Sequence, residues 1–287
     1  MNKKTSIIIV TYKAAQYIGQ CLTTCMKSAE NLDYEIIVVD NNSSDNAVFV
    51  VKEFSNVRLI QNEKNFGFAK AVNIGIKQAI GDIIVLLNAD TMVGEKAVEK
   101  IVAYLSAHQD LGAVGGGLNN PNGKLQYSAG RFPNIKNLLL DKLALLNIFF
   151  PAYFIRSRGF YKKISYPDWV VGAFFAIKAE VLKKIGFFDE KYFMYMEEVD
   201  LCYRIKKAGW KVAYYPEASA VHYDLGKSEQ RRYNKFIRQR LGMIYFFQKF
   251  YTPHKTKILK KLLRIELFLA DIPESESLDS YKKELTS

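Results

Sequence analysis

The sequence predicts an α/β fold, a parallel sheet covered by helices on both faces. Two observations carry that prediction. In the first hundred residues, β-branched apolar runs of five to seven residues alternate with helical patterns of ten to fifteen, the rhythm of βαβ units. Across 287 residues, 49% hydrophobic and 24% charged content gives enough apolar surface for a core and excludes a disordered polymer.

The elements follow in order. Ser6 to Thr11 reads as a strand and Ala14 to Ser28 as a helix; Tyr34 to Asp40 and Ser44 to Phe54 repeat the pair. Val57 to Gln61, Gly67 to Ala79 and Asp82 to Leu87 continue it. Ligands of parallel sheets bind at the carboxyl ends of strands, so Thr11-Tyr12, Asp40-Asn41-Asn42-Ser43, Gln61-Asn62 and Asn88-Ala89-Asp90 should share one edge. Gly115-Gly116-Gly117, then Asn119-Asn120-Pro121-Asn122-Gly123, suggest a strand and a tight hairpin. Asp168 to Ile177 reads as a strand, Glu197 to Lys207 as a helix, and Trp210 to Tyr215 as a further strand. Ser228 to Ala270 is helical in composition, with Pro253 separating two helices.

Several classes of protein are excluded. Cys21, Cys25 and Cys202 form no paired disulfide framework and lack zinc or redox spacing, so a reducing compartment fits. The N-terminal apolar stretch, Ile7 to Val10, is too brief for an export signal. Asp141, Lys142, Asn147 and Pro151 interrupt Leu138 to Ile155, which argues against a membrane span.

Candidate chemistry lies in four clusters. Asp40 ends a strand, where a carboxylate either caps a turn or accepts hydrogen bonds from a nucleobase or ribose. Asp90 closes another strand and suits a hard divalent cation bridging substrate phosphates, although a simple cap would look the same. Glu197, Glu198 and Asp200 crowd a helix start among aromatic groups, which either reflects macrodipole capping or raises a carboxyl towards general-base duty. His222 follows an apolar run and is either structural or a metal ligand beside Asp90.

In sequence order, Ser6-Ile7-Ile8-Ile9-Val10-Thr11-Tyr12, Val39-Asp40-Asn41-Asn42-Ser43, Asn65-Phe66-Gly67-Phe68-Ala69, Leu86-Leu87-Asn88-Ala89-Asp90, Gly172-Ala173, Gly186-Phe187-Phe188-Asp189-Glu190 and Tyr195-Met196-Glu197-Glu198-Val199-Asp200-Leu201 resemble family 2 inverting glycosyltransferases of GT-A fold. The closest likeness is to the bacterial rhamnosyltransferase-like branch. The resemblance implies a catalytic domain over residues 1–225, with a donor half at about 1–115 and an acceptor half at about 116–225. A basic helical extension over 226–271 and a polar tail over 272–287 would follow.

It implies a nucleotide-diphospho-sugar donor held by Thr11, Tyr12, Asp40, Asn42, Asn65, Phe68, Asn88, Ala89 and Asp90. Asp90 and His222 would hold a divalent metal, Mn²⁺ or Mg²⁺; Trp169, Gly172 and Ala173 would shape the sugar and acceptor pocket. Glu198, or else Glu197, would be the catalytic base. Asn88 stands where many members have Asp, and Glu198 where most have Asp. The implied reaction moves a hexose, rhamnose from dTDP-rhamnose or a sugar from a UDP-hexose, onto a lipid-linked cell-surface glycan. A non-catalytic glycan- or nucleotide-binding module is the reading of another class.

Charge locates a further feature. Residues 225–271 carry twelve Lys/Arg against three acids, a charge of +9, within a chain whose net charge is +12. That segment interleaves basic residues with Phe236, Tyr245, Phe246, Phe247, Phe250 and Phe268. It is either a packing element with a solvated charged face or an interfacial helix pair for the inner leaflet of the plasma membrane, over 228–270. The second reading places the protein in the cytoplasm, peripheral to that membrane. No helix-turn-helix, zinc or RNA-recognition pattern accompanies the charge, so no nucleic-acid partner is expected. Leu138 to Ile155 is a candidate for lipid contact or for packing between two copies of the chain.

Overall fold

Two interleaved βα halves build one nine-stranded mixed sheet. The computed structural model describes residues 4–142, 153–224, 229–269 and 276–286. Strands β1 (Thr5–Thr11), β2 (Tyr34–Asp40), β3 (Val57–Gln61) and β4 (Ile83–Asn88) lie parallel in the order β3-β2-β1-β4. Chain order therefore reverses between β1 and β4, the kind of switch point that opens a crevice at the carboxyl ends of strands. Register sets Thr11 opposite Asp40 and Val10 opposite Asn88, so three expected site positions share one edge.

The second half continues the sheet with β5 (Thr91–Val93), β6 (Leu111–Asn119), β7 (Leu125–Gln126), β10 (Phe174–Lys178) and β11 (Lys211–His222). A separate two-stranded ribbon pairs β8 (Ala129–Gly130) with β9 (Trp169–Val170). β10 runs antiparallel between β4 and β6, β11 runs parallel to β6, and β5 closes the path antiparallel to β11. The stretch Asp168 to Ile177, expected as one strand, is broken at Val171-Gly172-Ala173 into β9 and β10. Pairing of β11 with both β6 and β5 carries it well past the expected end at Tyr215, through an irregularity between Tyr215 and Ser219.

Pleating sends alternate side chains to opposite faces, and each face has its own core. Ile7, Ile9, Val85 and Leu87 are buried together with residues of α1 (Ala15–Ser28), α2 (Ala47–Lys52) and α4 (Ala97–Ala107). Ile8, Ile84 and Leu86 belong to the other core, with α3 (Phe68–Gln78), α6 (Ala179–Ile185) and α7 (Glu197–Lys207). At roughly 1.5–3 kcal/mol for each fully buried aliphatic side chain, these two layers fix the sheet that positions the site. Helix α5 (Ile135–Lys142) follows the ribbon strand β8, and residues 143–152 of the interrupted apolar stretch lie outside the described residues.

Three helices close the chain: α8 (Glu229–Phe250), α9 (Pro253–Leu269) and α10 (Glu276–Thr286). Pro253 does separate two helices, since its fixed φ suits a first helical turn. Of the aromatic residues expected at a lipid surface, Phe246 and Phe247 are fully buried in protein and Phe236, Tyr245 and Phe250 pack against the same core. Phe268 alone among them is well exposed, at 89%. The segment expected as a polar tail differs as well. Leu278, Tyr281 and Leu285 recur at helical spacing and are buried in the same core as α8, so the tail holds a docked helix. Truncating Tyr281 to Ala should therefore destabilise the protein by about 3 kcal/mol, the cost of emptying a buried aromatic site. Urea unfolding measures this, and a change within about 0.5 kcal/mol would mark residue 281 as surface.

Candidate active site

The donor side of the site is the shared edge of β1, β2 and β4. Thr11 is fully buried, with its hydroxyl lacking a partner among the described residues, and Tyr12 projects beside it at 44% exposure. Asp40 is buried; its Oδ2 accepts the Ser43 N–H at 3.0 Å, while its enclosed Oδ1 has no partner among the described residues. A buried carboxylate oxygen left open at a strand end is a ready acceptor for a nucleobase or ribose donor. Asn42 is exposed and takes the left-handed conformation, φ 63°, that Asn tolerates better than most residues.

Asn41, which the sequence did not single out alone, is the hub of this edge. Its Nδ2 donates to Asn65 Oδ1 at 2.9 Å and to the Gly67 carbonyl at 3.1 Å, and its Oδ1 accepts from Asn62 and the Phe66 N–H. Asn65 thus braces the loop before α3 through Asn41. The next residues approach the acceptor side, because the Phe68 N–H donates to the Phe193 carbonyl at 2.7 Å. Gly67 has φ +83°, and any side chain there would collide with that same carbonyl, so only glycine allows the approach.

Asp90 and His222 come together through the pairing of β5 with β11, which sets Thr91 opposite His222. His222 Nε2 lies 3.4 Å from Asp90 Oδ1 and 3.2 Å from Asn88 Nδ2. Its Nδ1 lies 2.8 Å from Gln126 Oε1 on β7. An amide oxygen only accepts, so Nδ1 carries the ring proton and Nε2 keeps its lone pair. Nε2 accepts from the Asn88 amide at 3.2 Å, and Asp90 Oδ1 stands 3.4 Å from it as a second acceptor that a cation could share. Gln126 was invisible as a site residue in the sequence, since only the hairpin after β6 returns it to His222. Among the described residues no three of His, Cys, Asp and Glu gather as ligands. The Asp90–His222 pair nevertheless fits a divalent ion of the Mg²⁺ type, which takes few protein ligands and fills its shell with phosphate and water. Ala89 is buried between these groups and the core.

Gly172 and Ala173 adjoin that pair. The Ala173 carbonyl accepts the Asn88 N–H at 3.1 Å and the Thr91 hydroxyl at 3.4 Å, and Gly172 faces the Phe68 ring. Trp169 lies deeper. Its ring is buried against Tyr153 and Phe154, and its indole N–H donates to the Arg131 carbonyl at 2.9 Å, so it supports the pocket from behind.

Glu197 and Glu198 open α7 behind Tyr195 and Met196, two consecutive non-glycine residues at φ 72° and 74°. Such conformations cost of order 1–3 kcal/mol each and persist only where packing dictates them. Both glutamates keep an enclosed Oε2 with no partner among the described residues. Burial, then the adjacent Glu198 charge, pushes the Glu197 carboxyl well above the usual range. Burial raises Glu198 to about 7, with helix-start N–H groups and the Lys235 ammonium on α8 holding it from rising further. Both carboxyls are thus pushed upward as a pair, with Glu198 brought to about 7.

The profile of Glycosyl transferase family 2 matches residues 6–204, and the chain belongs to that family. It is 28% identical over 241 residues to N-acetylglucosaminyl-diphospho-decaprenol L-rhamnosyltransferase of Mycobacterium tuberculosis, covering 78% of this chain and 77% of the relative. It is 25% identical over 225 residues to rhamnosyltransferase WbbL of Escherichia coli, covering 76% and 82%. In fold it is similar to a mannosyltransferase from Pyrobaculum calidifontis in complex with GDP-Man and Mn²⁺, with TM-score 0.60 at 18% identity over 87% of this chain and 64% of that one. GalNAc-T7 with UDP, GalNAc and Mn²⁺ gives TM-score 0.63 at 15% identity, over 99% of this chain and 54% of that one. The chain is thus a glycosyltransferase of GT-A fold with rhamnosyltransferases among its relatives.

The raised carboxyls have a consequence for stability. For Glu198, whose folded value of about 7 exceeds the ordinary 4.5, the stabilising contribution is full below about 4.5 and is lost as pH rises through 7. Glu197 acts in the same direction. Glu197→Gln and Glu198→Gln should each raise the thermal midpoint more at pH 8 than at pH 5, by about 2–4 °C per kcal/mol regained. Calorimetric melts at the two pH values check this, and a larger gain at pH 5 would contradict it.

Proposed function

We propose that this glycosyltransferase transfers a sugar with inversion from a nucleotide-diphosphate donor to a lipid-linked glycan, with rhamnose from dTDP-rhamnose as the donor group. The observation that carries the reading is the Glu198 carboxyl, enclosed on one side and balanced near neutral pH at the start of α7. Glu198 accepts the proton of the acceptor hydroxyl as that oxygen bonds to the anomeric carbon. The bond from that carbon to the diphosphate oxygen breaks on the opposite face, and a single displacement inverts the centre. Burial and the neighbouring Glu198 charge push the Glu197 carboxyl upward, which disfavours a second negative charge beside the base.

Thr11, Tyr12, Asp40 and Asn42 hold the nucleotide along the sheet edge, and Gly172 and Ala173 line the sugar. Asp90 and His222 would hold a divalent metal, with Gln126 fixing the imidazole tautomer. When bound, the ion neutralises the departing diphosphate as a Lewis acid. The rhamnose donor and the prenyl-linked acceptor rest on the relatives' names, a UDP-hexose being the other donor class weighed. At the membrane, Lys257, Lys261, Ile265 and Phe268 are exposed on α9 and suit an anionic inner-leaflet surface. Among the described residues, no helix is long and apolar enough to cross a membrane.

A donor panel tests the reading: nucleotide release from dTDP-rhamnose, UDP-glucose, UDP-N-acetylglucosamine and GDP-mannose, with Mn²⁺, Mg²⁺ or EDTA and a prenyl-diphosphate N-acetylglucosamine acceptor. Turnover of dTDP-rhamnose, abolished by EDTA, is expected; turnover of another donor alone would replace the rhamnose assignment. The rate should rise with pH through about 7 as Glu198 loses its proton, and Glu198→Gln should cost about 10²- to 10⁴-fold in kcat. A flat pH profile with full activity in Glu198→Gln would remove Glu198 from the chemistry. Gln126→Leu should weaken Mn²⁺ binding about 10- to 100-fold in calorimetry with dTDP present, and unchanged affinity would deny Gln126 that role.

A further inference from the structure

One face of α8 runs along the segment that carries the base. Arg238, Gly242, Tyr245 and Lys249 are spaced four, three and four residues apart, which keeps them on a single helical stripe. Each meets a different part of residues 189–200. The Arg238 guanidinium sits 4.5 Å from the Phe193 ring centre. Gly242 presses on the left-handed pair, where an added side chain would meet Met196 Cβ at 3.0 Å and the Tyr195 carbonyl at 3.1 Å. The Tyr245 hydroxyl donates to Asp189 Oδ2 at 2.9 Å, and its ring packs on Tyr192.

Lys249 ends the stripe and joins the two ends of the segment. Its ammonium donates to Asp189 Oδ2 and to Asp200 Oδ2, both at 2.7 Å. The Asp200 side chain is fully buried, and its other oxygen accepts Arg204 Nε at 2.6 Å. Three further Arg204 N–H groups donate to the carbonyls of Ile185, Gly186 and Phe187. Between the two aspartates the chain makes the turn through Tyr195 and Met196 and presents Glu198.

We propose that Lys249 is a positioning residue for Glu198: by fixing Asp189 against Asp200 it sets the span of the turn, and so the place of the carboxyl. This rests on the reading of Glu198 as the base. Lys249 lies outside the family match, which ends at Arg204. Its removal leaves both aspartates a partner, Tyr245 for Asp189 and Arg204 with Tyr192 for Asp200. Ile237, Ile244, Phe246 and Phe247 still bury α8. The fold survives, while the ends of the segment lose their common tie.

The test compares Lys249→Met and Lys249→Arg in the full chain, alone and with Glu198→Gln, using the donor that the panel identifies. Lys249→Met should lower kcat about 10- to 100-fold, as small misplacements of reacting groups do, with donor KM within about twofold of the parent. Lys249→Arg should restore most of the loss. In the Glu198→Gln background, Lys249→Met should cost nothing further, because its effect passes through the base. An equal loss in that background would show a general structural role and overturn the proposal. Hydrogen exchange gives a readout independent of turnover: amides of residues 192–198 should exchange faster in Lys249→Met while those of β1 and β4 do not. Unchanged exchange in that turn would also overturn it. Full activity in Glu198→Gln alone would instead sink the assignment of the base, leaving the exchange result to judge whether Lys249 holds the turn.

Discussion

The constraint on which the site depends is the desolvation of two adjacent carboxyls at the start of α7. Water would hold both ionised near their ordinary values; enclosure raises both. Such a pair cannot arise on a flexible loop, where solvent would return. It needs the left-handed turn of Tyr195 and Met196, and that turn needs neighbours that over-determine it. Gly67 lets the loop before α3 reach Phe193, and Gly242 lets α8 close on Met196. The acceptor side is therefore assembled from three remote stretches of sequence.

The donor side is built differently. Thr11, Asp40 and Asn88 stand at ends of hydrogen-bonded parallel strands, so strand register alone fixes their spacing. Thr11 and Asp40 are buried at the sheet edge, and each keeps an enclosed oxygen with no partner among the described residues. The Asp90–His222 pair adds a tertiary element, because it exists only where β11 turns back to β5. Gln126 then works from behind, presenting an oxygen to the imidazole so that the far nitrogen faces Asn88 and Asp90 with its lone pair.

Much of this was legible in the sequence, and the reasons for the rest are physical. Strands β1 to β4 announce themselves because buried parallel strands are continuous apolar runs, and their polar ends mark the edge where ligands bind. Helix α7 appears within its observed limits because its acids sit at one end and its bases at the other. The nearness of Asp90 and His222 came from the resemblance, since strand periodicity says nothing of pairing across 130 residues. Gln126 carries no local signal at all. The basic helices misled in part: composition gives the same cations to a lipid-facing helix and to one whose aromatic side is buried in protein. Leu278, Tyr281 and Leu285 were hidden among polar residues, although their spacing already described a docking stripe.

The stripe on α8 bears on how such enzymes can be recombined. A cut placed where the family likeness ends, just after Arg204, would separate a catalytic turn from the helix shaped to it. Chimaeras joining this donor-binding sheet to another relative's C-terminal helices would inherit an intact nucleotide edge and a mismatched splint. A unit of exchange that keeps these contacts together runs from Asp189 through Lys249.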